Sequence, residues 1–226
     1  VGVARALQEA DCGYIFFLNN DTTVEPDLLD RLLIAVNNSQ NQSYGFFQPK
    51  MINYFQRDLI NSAGLDYSRN GLGFNRGGNQ PVSNYNKDQE VLGCCGGAFF
   101  CRRQAVEDLW HQADDFFAED FFAYYEDLDT SLRLQWAGWQ CLFVAAAVVY
   151  HKEGQTAKKF SALKVFWPNR NVCWVIIRNW PLIDILRNFH WLLLGQSGMV
   201  VNAFLRRGKL GWWAIKGKIE AMRGMS

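Results

Sequence analysis

Residues 14–22 read YIFFLNNDT: five apolar side chains in a row, then an abrupt change to amides, a carboxylate and a hydroxyl. A continuous apolar run of this length is the pattern of a strand buried on both faces, as in the parallel sheet of an α/β domain. Upstream, residues 3–10 read as the tail of a helix stopped at Gly13. Downstream, a helix is expected with Pro26 in its first turn and Leu28, Leu29, Leu32, Leu33 and Val36 on its inner face. Another strand is expected within 44–52. Residues 61–87, rich in Gly, Asn and Ser, read as a long loop or an irregular hairpin, and long loops in compact domains are often functional. Residues 91–101 read as a strand entered through a tight turn at Gly96-Gly97, followed by a short helix over 103–110. The spacing of Leu128, Leu132 and Trp136 predicts a helix over 125–137 with Gly138 as its stop, and 141–150 is a further buried strand. Strands and helices alternate, so the expected class is α/β, a mostly parallel sheet with a largely helical tail.

The whole chain has 226 residues, 49% hydrophobic and 20% charged, which is enough for a packed core and excludes wholesale disorder. Its formal net charge of +1 argues against a general nucleic-acid binder. That average hides an asymmetry. Residues 1–151 hold 10 Lys and Arg against 19 Asp and Glu, a net of −9, whereas residues 152–226 hold 13 against 3, a net of +10. Six of the nine tryptophans lie in that basic stretch. Basic, Trp-rich and apolar together suit an anionic membrane surface, the plainer reading being a helical subdomain with a solvated basic face. Residues 189–205 would make a helix of about 25 Å at 1.5 Å per residue, short of a ~30 Å hydrocarbon core, which favours an interfacial helix over a span. The division expected is therefore 1–154, acidic and catalytic, and 155–226, helical and membrane-proximal. Six cysteines without a CxxC pair read as reduced thiols in a cytosolic setting. No signal peptide is visible, and the absent initiator Met suggests a fragment.

Three polar sites adjoin the apolar elements. Asn19-Asn20-Asp21 follows the first strand, at the edge where open α/β sheets bind ligands, and offers hard oxygen ligands of the kind Mg²⁺ or Mn²⁺ takes alongside phosphates. An Asx-type turn explains the same residues. Glu126-Asp127-Leu128-Asp129 opens the helix that carries Arg133. A surface pair between Asp129 and Arg133, with acids favoured at a helix start, accounts for Glu126 and Asp129 but leaves Asp127 free. Asp127 lies among Phe116, Phe117, Phe121, Phe122, Tyr124 and Tyr125, an apolar setting that would raise its pKa toward that of a general base. His151 ends the last strand and can be either a metal ligand or a structural residue. All three sites would converge on one edge of a parallel sheet.

In order, IFFLNNDT (15–22), GGAFFCRRQAVEDL (96–109), FFAEDFFAYYEDLDTSLRLQWAG (116–138) and VVYHKEG (148–154) resemble the family 2 glycosyltransferases, and most of all the rhamnosyltransferase-like members with the GT-A, Rossmann-like fold. The resemblance covers about residues 1–180. It implies that Asp21, in the place of the family's DXD-type motif, holds a divalent cation, Mg²⁺ or Mn²⁺, on the donor's diphosphate. His151 would complete that metal shell. Asn19 stands where many members have Asp, a departure that weakens its part as a ligand. Asp127, the second acid of the ED motif, falls on the catalytic base. Asn20, Gly96, Gly97, Ala98, Glu126 and Arg133 fall on donor- and acceptor-binding positions, Arg102-Arg103 on the same pocket-lining segment, and Arg170-Asn171 on an RN pair in the helix after the core. Members begin with a strand–helix–strand unit that grips the nucleoside. On the resemblance that unit, roughly 70–80 residues at about 30 per βαβ unit, is absent, so the residues that read the base are not assigned.

The activity implied is inverting transfer of a sugar from a nucleotide-sugar, dTDP- or UDP-linked, to a hydroxyl of a glycan or lipid-linked acceptor. The expected setting is cell-surface polysaccharide synthesis, cytoplasmic and peripheral at the inner face of the membrane. Two other readings compete with it: a sugar nucleotidyltransferase, which also pairs an α/β sheet with acidic metal ligands, and a non-catalytic membrane-associated scaffold.

Overall fold

The computed structural model describes residues 2–9, 11–113, 115–152 and 162–224. The expected boundary at 154/155, with Glu153 and Gly154 of the VVYHKEG block, lies outside them. In chain order the elements are α1 (Gly2–Gln8), β1 (Tyr14–Leu18), β2 (Thr22–Val24), α2 (Leu28–Asn37), β3 (Tyr44–Asn53), β4 (Ile60–Ser62), β5 (Leu65–Tyr67), β6 (Gly73–Asn75), β7 (Gln89–Val91) and β8 (Ala98–Arg102). They continue with α3 (Arg103–Ala113), α4 (Glu126–Trp136), β9 (Gln140–His151), α5 (Leu163–Asn179), α6 (Leu182–Arg187), α7 (Phe189–Arg207) and α8 (Trp212–Arg223).

The central sheet has the order β1-β8-β3-β9-β2, with β4 added to β3 and β7 to β9. The expectation of a mostly parallel sheet is corrected: β3 and β9 pair in parallel, while β1–β8, β8–β3, β2–β9, β3–β4 and β7–β9 are all antiparallel. The sequence could not separate the two arrangements, because a strand covered on both faces is a continuous apolar run whichever way its neighbour points. Two antiparallel steps restore direction, so β1, β3 and β9 run the same way and end at the same edge. Strand β8 runs against them and begins there.

Side chains along the central strands face two cores in alternation. Phe46, Phe99 and Phe143 face a core with Ala105, Val106 and Leu109 of α3 and Leu134 of α4. Phe47, Phe100, Leu142 and Val144 face the opposite core, against α2. Helix α2 buries Leu28, Leu32, Ala35 and Val36, while Leu29 and Leu33, expected inside, are exposed. Residues 61–87 form an irregular hairpin, β5 paired antiparallel with β6, that stands beside the sheet's functional edge. Helix α5 is no loose appendage: Trp174 and Val175 share a core with Phe121 and with Leu128 of α4. No helix among the described residues is long and apolar enough to cross a membrane. Cys12, Cys94, Cys101, Cys141 and Cys173 are in no disulfide.

Candidate active site

At the shared edge, the turn after β1, the turn before β8, the end of β9 and the start of α4 enclose a cavity of about 580 Å³. Its walls include Asn19, Asp21, Gly96, Gly97, Asp127 and His151. The three polar sites read from the sequence are therefore brought together, although one of the strands that does it is antiparallel.

The turn at Asn19–Thr22 is closed locally, Thr22 donating its backbone N–H and, at 2.6 Å, its hydroxyl to Asn19 O. Lys152 N–H donates to Asp21 O, tying that turn to the end of β9. The turn reading holds, and the turn sets Asp21 in the cavity wall. His151 is oriented from behind: its Nδ1 lies 2.9 Å from Asn61 Oδ1, an oxygen that can only accept, so Nδ1 carries the proton. Nε2 then points a lone pair at Asp21 Oδ1, 3.2 Å away. Two acceptors face each other, which a second proton on the ring or a cation would satisfy. Asp21 and His151 fit a divalent cation that draws its remaining ligands from phosphate and water. No cluster of three or more His, Cys, Asp or Glu side chains suited to a metal occurs among the described residues; position 19, the third of the expected metal residues, is an amide.

Asp127 is held in the first turn of α4 by backbone donors on both oxygens, Gly96 N–H to Oδ2 and Leu128 N–H to Oδ1, each at 2.8 Å. Burial raises its pKa, and these two N–H groups oppose the rise without cancelling it. Burial and then the neighbouring Asp127 push Glu126 up to about 7, and Glu126 Oε2 has no hydrogen-bond partner among the described residues. Gly96 packs closely on Asp127: a Cβ there would sit 3.3 Å from Asp127 Cβ, so Asp127 would have to shift by a few tenths of an ångström.

The expected aromatic setting of Asp127 divides. Tyr124 and Tyr125 line the cavity, Phe116 and Phe117 pack on Phe17, and Phe122 is exposed. The loop before α4 is strained, with Phe122, Tyr124 and Tyr125 at φ of 58, 69 and 71°. Asn171 of α5 clamps it by donating to the carbonyls of Phe121, Ala123 and Tyr124 at 2.7–2.9 Å, and Arg170 reaches those of Asp120 and Phe121.

Other sequence candidates lie elsewhere. Ala98 is fully buried against α2, and neither it nor Asn20 lines the cavity. Arg133 is outside it too, spanning Asp129, Asp115 and Phe116 O. Its partner Asp129 is not on the surface, as the i, i+4 spacing suggested, but is 0% exposed and also bound to Arg178 and Asn179. Arg102 and Arg103 sit at the opposite end of β8, holding carbonyls around α2 and α1. Sequence reasoning missed Asn61, and placed Asn171 in the RN pair of the helix after the core without its part as a clamp on the 121–124 loop.

No curated protein matches the chain. The sequence model of one family, described as glycosyl transferase family group 2, matches residues 14–213, which takes in every strand of the sheet and helices α2 to α7. With that match over most of its length, the chain belongs to glycosyl transferase family group 2.

Proposed function

We propose that the chain catalyses inverting transfer of a sugar, rhamnose being the one its sequence blocks suggest, from a dTDP- or UDP-sugar to a hydroxyl of a glycan or lipid-linked acceptor. The observation that carries this reading is the cavity that joins Asp127 to the Asp21–His151 pair. Asp127 Oδ2, fixed by Gly96 N–H, takes the acceptor proton as the acceptor oxygen forms its bond to the anomeric carbon and the bond to the diphosphate breaks. The raised pKa brings the carboxylate nearer to the hydroxyl it must deprotonate in the transition state. Glu126, buried with an oxygen to spare, accepts from a second acceptor hydroxyl and sets its orientation. Asp21 and His151 would hold Mg²⁺ or Mn²⁺, whose chemistry is to neutralise charge on the departing nucleoside diphosphate.

The tail supports a membrane setting. Helices α6 and α7 expose Leu182, Leu186, Phe189, Leu193 and Leu194, with Arg187 and Arg206 on the same helices. We therefore set the enzyme on the inner, cytoplasmic face of the cell membrane, in polysaccharide synthesis, its tail against anionic lipid.

The test is Mn²⁺-dependent calorimetry with UDP, dTDP and GDP, together with transfer from the nucleotide-sugar that binds. Asp127→Asn is expected to keep nucleotide binding and lose transfer, and Asp21→Ala to lose the Mn²⁺-dependent part of binding. Normal turnover by the first variant would remove Asp127 from the base role. Unchanged binding by the second would move the metal elsewhere.

A further inference from the structure

A second cavity, about 840 Å³, opens further along α4. The two cavities share two elements. Helix α4 gives Glu126, Asp127 and Leu128 to the first and Leu132, Gln135 and Trp136 to the second, and the hairpin with its flank gives Phe74 to the first and Asp66 and Arg76 to the second. Phe74 and Asp66 are directly opposed in the β5–β6 pair and share one face of the hairpin. Asp127 and Trp136 are about 13.5 Å apart along the axis at 1.5 Å per residue and on opposite sides of the helix, so a ligand that spans both cavities runs over the Phe74–Asp66 face of the hairpin.

The second cavity has the chemistry of a surface for sugars. Trp136 is 67% exposed, yet its indole N–H donates to Asn179 O at 3.0 Å, so a large flat ring is both wet and held in place. Trp180, in the same wall, is fixed edge-on against Tyr67. A pinned aromatic face is an apolar platform for the C–H side of a pyranose, and its orientation is set before the ligand arrives. Around it stand the carboxylates of Asp66, Glu90 and Asp184, acceptors for hydroxyl groups. The one cation in the wall, Arg76, is engaged by Gln89 and by Ala63 O. A wall with three carboxylates repels a phosphate or an acidic sugar, which separates this cavity from the donor's diphosphate site. A further observation also points to a ligand or water: Asn179, 5% exposed and lining the cavity, has an Oδ1 with no partner among the described residues.

We propose that this second cavity is a saccharide subsite that holds a neutral, non-reacting stretch of the acceptor glycan on Trp136 while its terminal hydroxyl lies at Asp127. The proposal rests on the glycosyl-transfer reading for its role, and on the cavity alone for its ligand class. The experiment titrates the full chain with graded-length malto-, cello-, manno- and chitooligosaccharides, following tryptophan fluorescence and saturation-transfer NMR. In parallel, Mn²⁺-dependent UDP and dTDP binding is measured on the same samples. At least one neutral series should bind, more tightly with length. Trp136→Ala should weaken it tenfold or more, Trp136→Phe should keep most of it, and Asp184→Asn should weaken it several-fold with the fold untouched. All these variants should bind nucleotide as the unaltered protein does. Absence of saccharide binding, or binding indifferent to Trp136→Ala and Asp184→Asn, overturns the subsite. Saccharide binding without any nucleotide binding would keep the subsite and sink the transfer reading, whereas nucleotide binding alone would do the reverse.

Discussion

Glu126 shows how the candidate site works against the fold that carries it. Its carboxyl is raised from the ordinary value near 4.5 to about 7 by burial and by Asp127. The folded chain therefore holds this proton more tightly than the unfolded one. That contribution to stability is complete below about pH 4.5 and is lost as the pH rises through 7. At 1.36 kcal/mol per pH unit between 4.5 and 7 the loss is on the order of 3 kcal/mol. Glu126→Gln, which stays neutral in both states, should raise the melting temperature at pH 8 by several degrees and change it little at pH 4.5. Equal effects at both pH values would show that the carboxyl is not desolvated. Asp21, Asp127 and His151 were legible because each is a polar break at the end of an apolar run or the start of a periodic one. Asn61 was not, and Asn171 was marked only by the resemblance and without its role, since each acts on a residue 47 or more positions away and nothing local marks the partner.

Among the elements, β1, β3, β9 and α4 could be read in outline, because apolar runs of five or more and an i, i+4, i+8 stripe carry a period. Strands β2 and β7, three residues each, are too short to carry one, and the antiparallel sense of β8 leaves no trace in its burial. The segment 122–125 is the instructive failure. Its aromatic run leads into a helical period, yet α4 begins at Glu126, because Tyr125 takes the left-handed conformation. Three non-glycine residues at positive φ cost about 1 kcal/mol each or more. The donors of Asn171 on α5 offset that cost while placing Tyr124 and Tyr125 in the cavity wall. Asn171→Ala would leave three carbonyls without this partner. It should lower stability by about 2–3 kcal/mol, at roughly 1 kcal/mol for each lost bond. It should also lower kcat more than it changes nucleotide affinity, because the loop shapes the acceptor side and not the Asp21–His151 pair. A variant with normal stability and normal kcat would show that the loop holds its strained conformation unaided.

At the scale of the whole molecule, the charge asymmetry in the sequence becomes a division of labour. The acidic stretch supplies the sheet edge and the acids at the start of α4. The basic stretch supplies α5, which locks α4 through Arg178 and Asn179 on the buried Asp129, and also α6 and α7, which turn leucines outward. A chain that only needed α5 as a brace would not need Leu186 and Leu194, 61% and 63% exposed, on the helices beyond it. If that face meets lipid, binding should have two separable components. The electrostatic one, from Arg187, Arg206 and Lys209, should appear only with anionic vesicles and fade as salt shortens the Debye length from about 10 Å at 0.1 M to 3 Å at 1 M. The apolar one should survive salt and fail on mutation. A buried leucine is worth about 1.5–3 kcal/mol, so Leu186→Glu and Leu194→Glu should each weaken partition to phosphatidylglycerol vesicles about tenfold or more, at 1.4 kcal/mol per tenfold. Neither lies in the catalytic cavity, so transfer to a water-soluble acceptor should be unaffected while transfer to a lipid-linked one falls with the partition. Sedimentation with vesicles reads the first effect and paired acceptor assays the second. Partition that ignores both substitutions would assign these helices to contact with another protein chain, and leave the acceptor to be recruited through the catalytic edge alone.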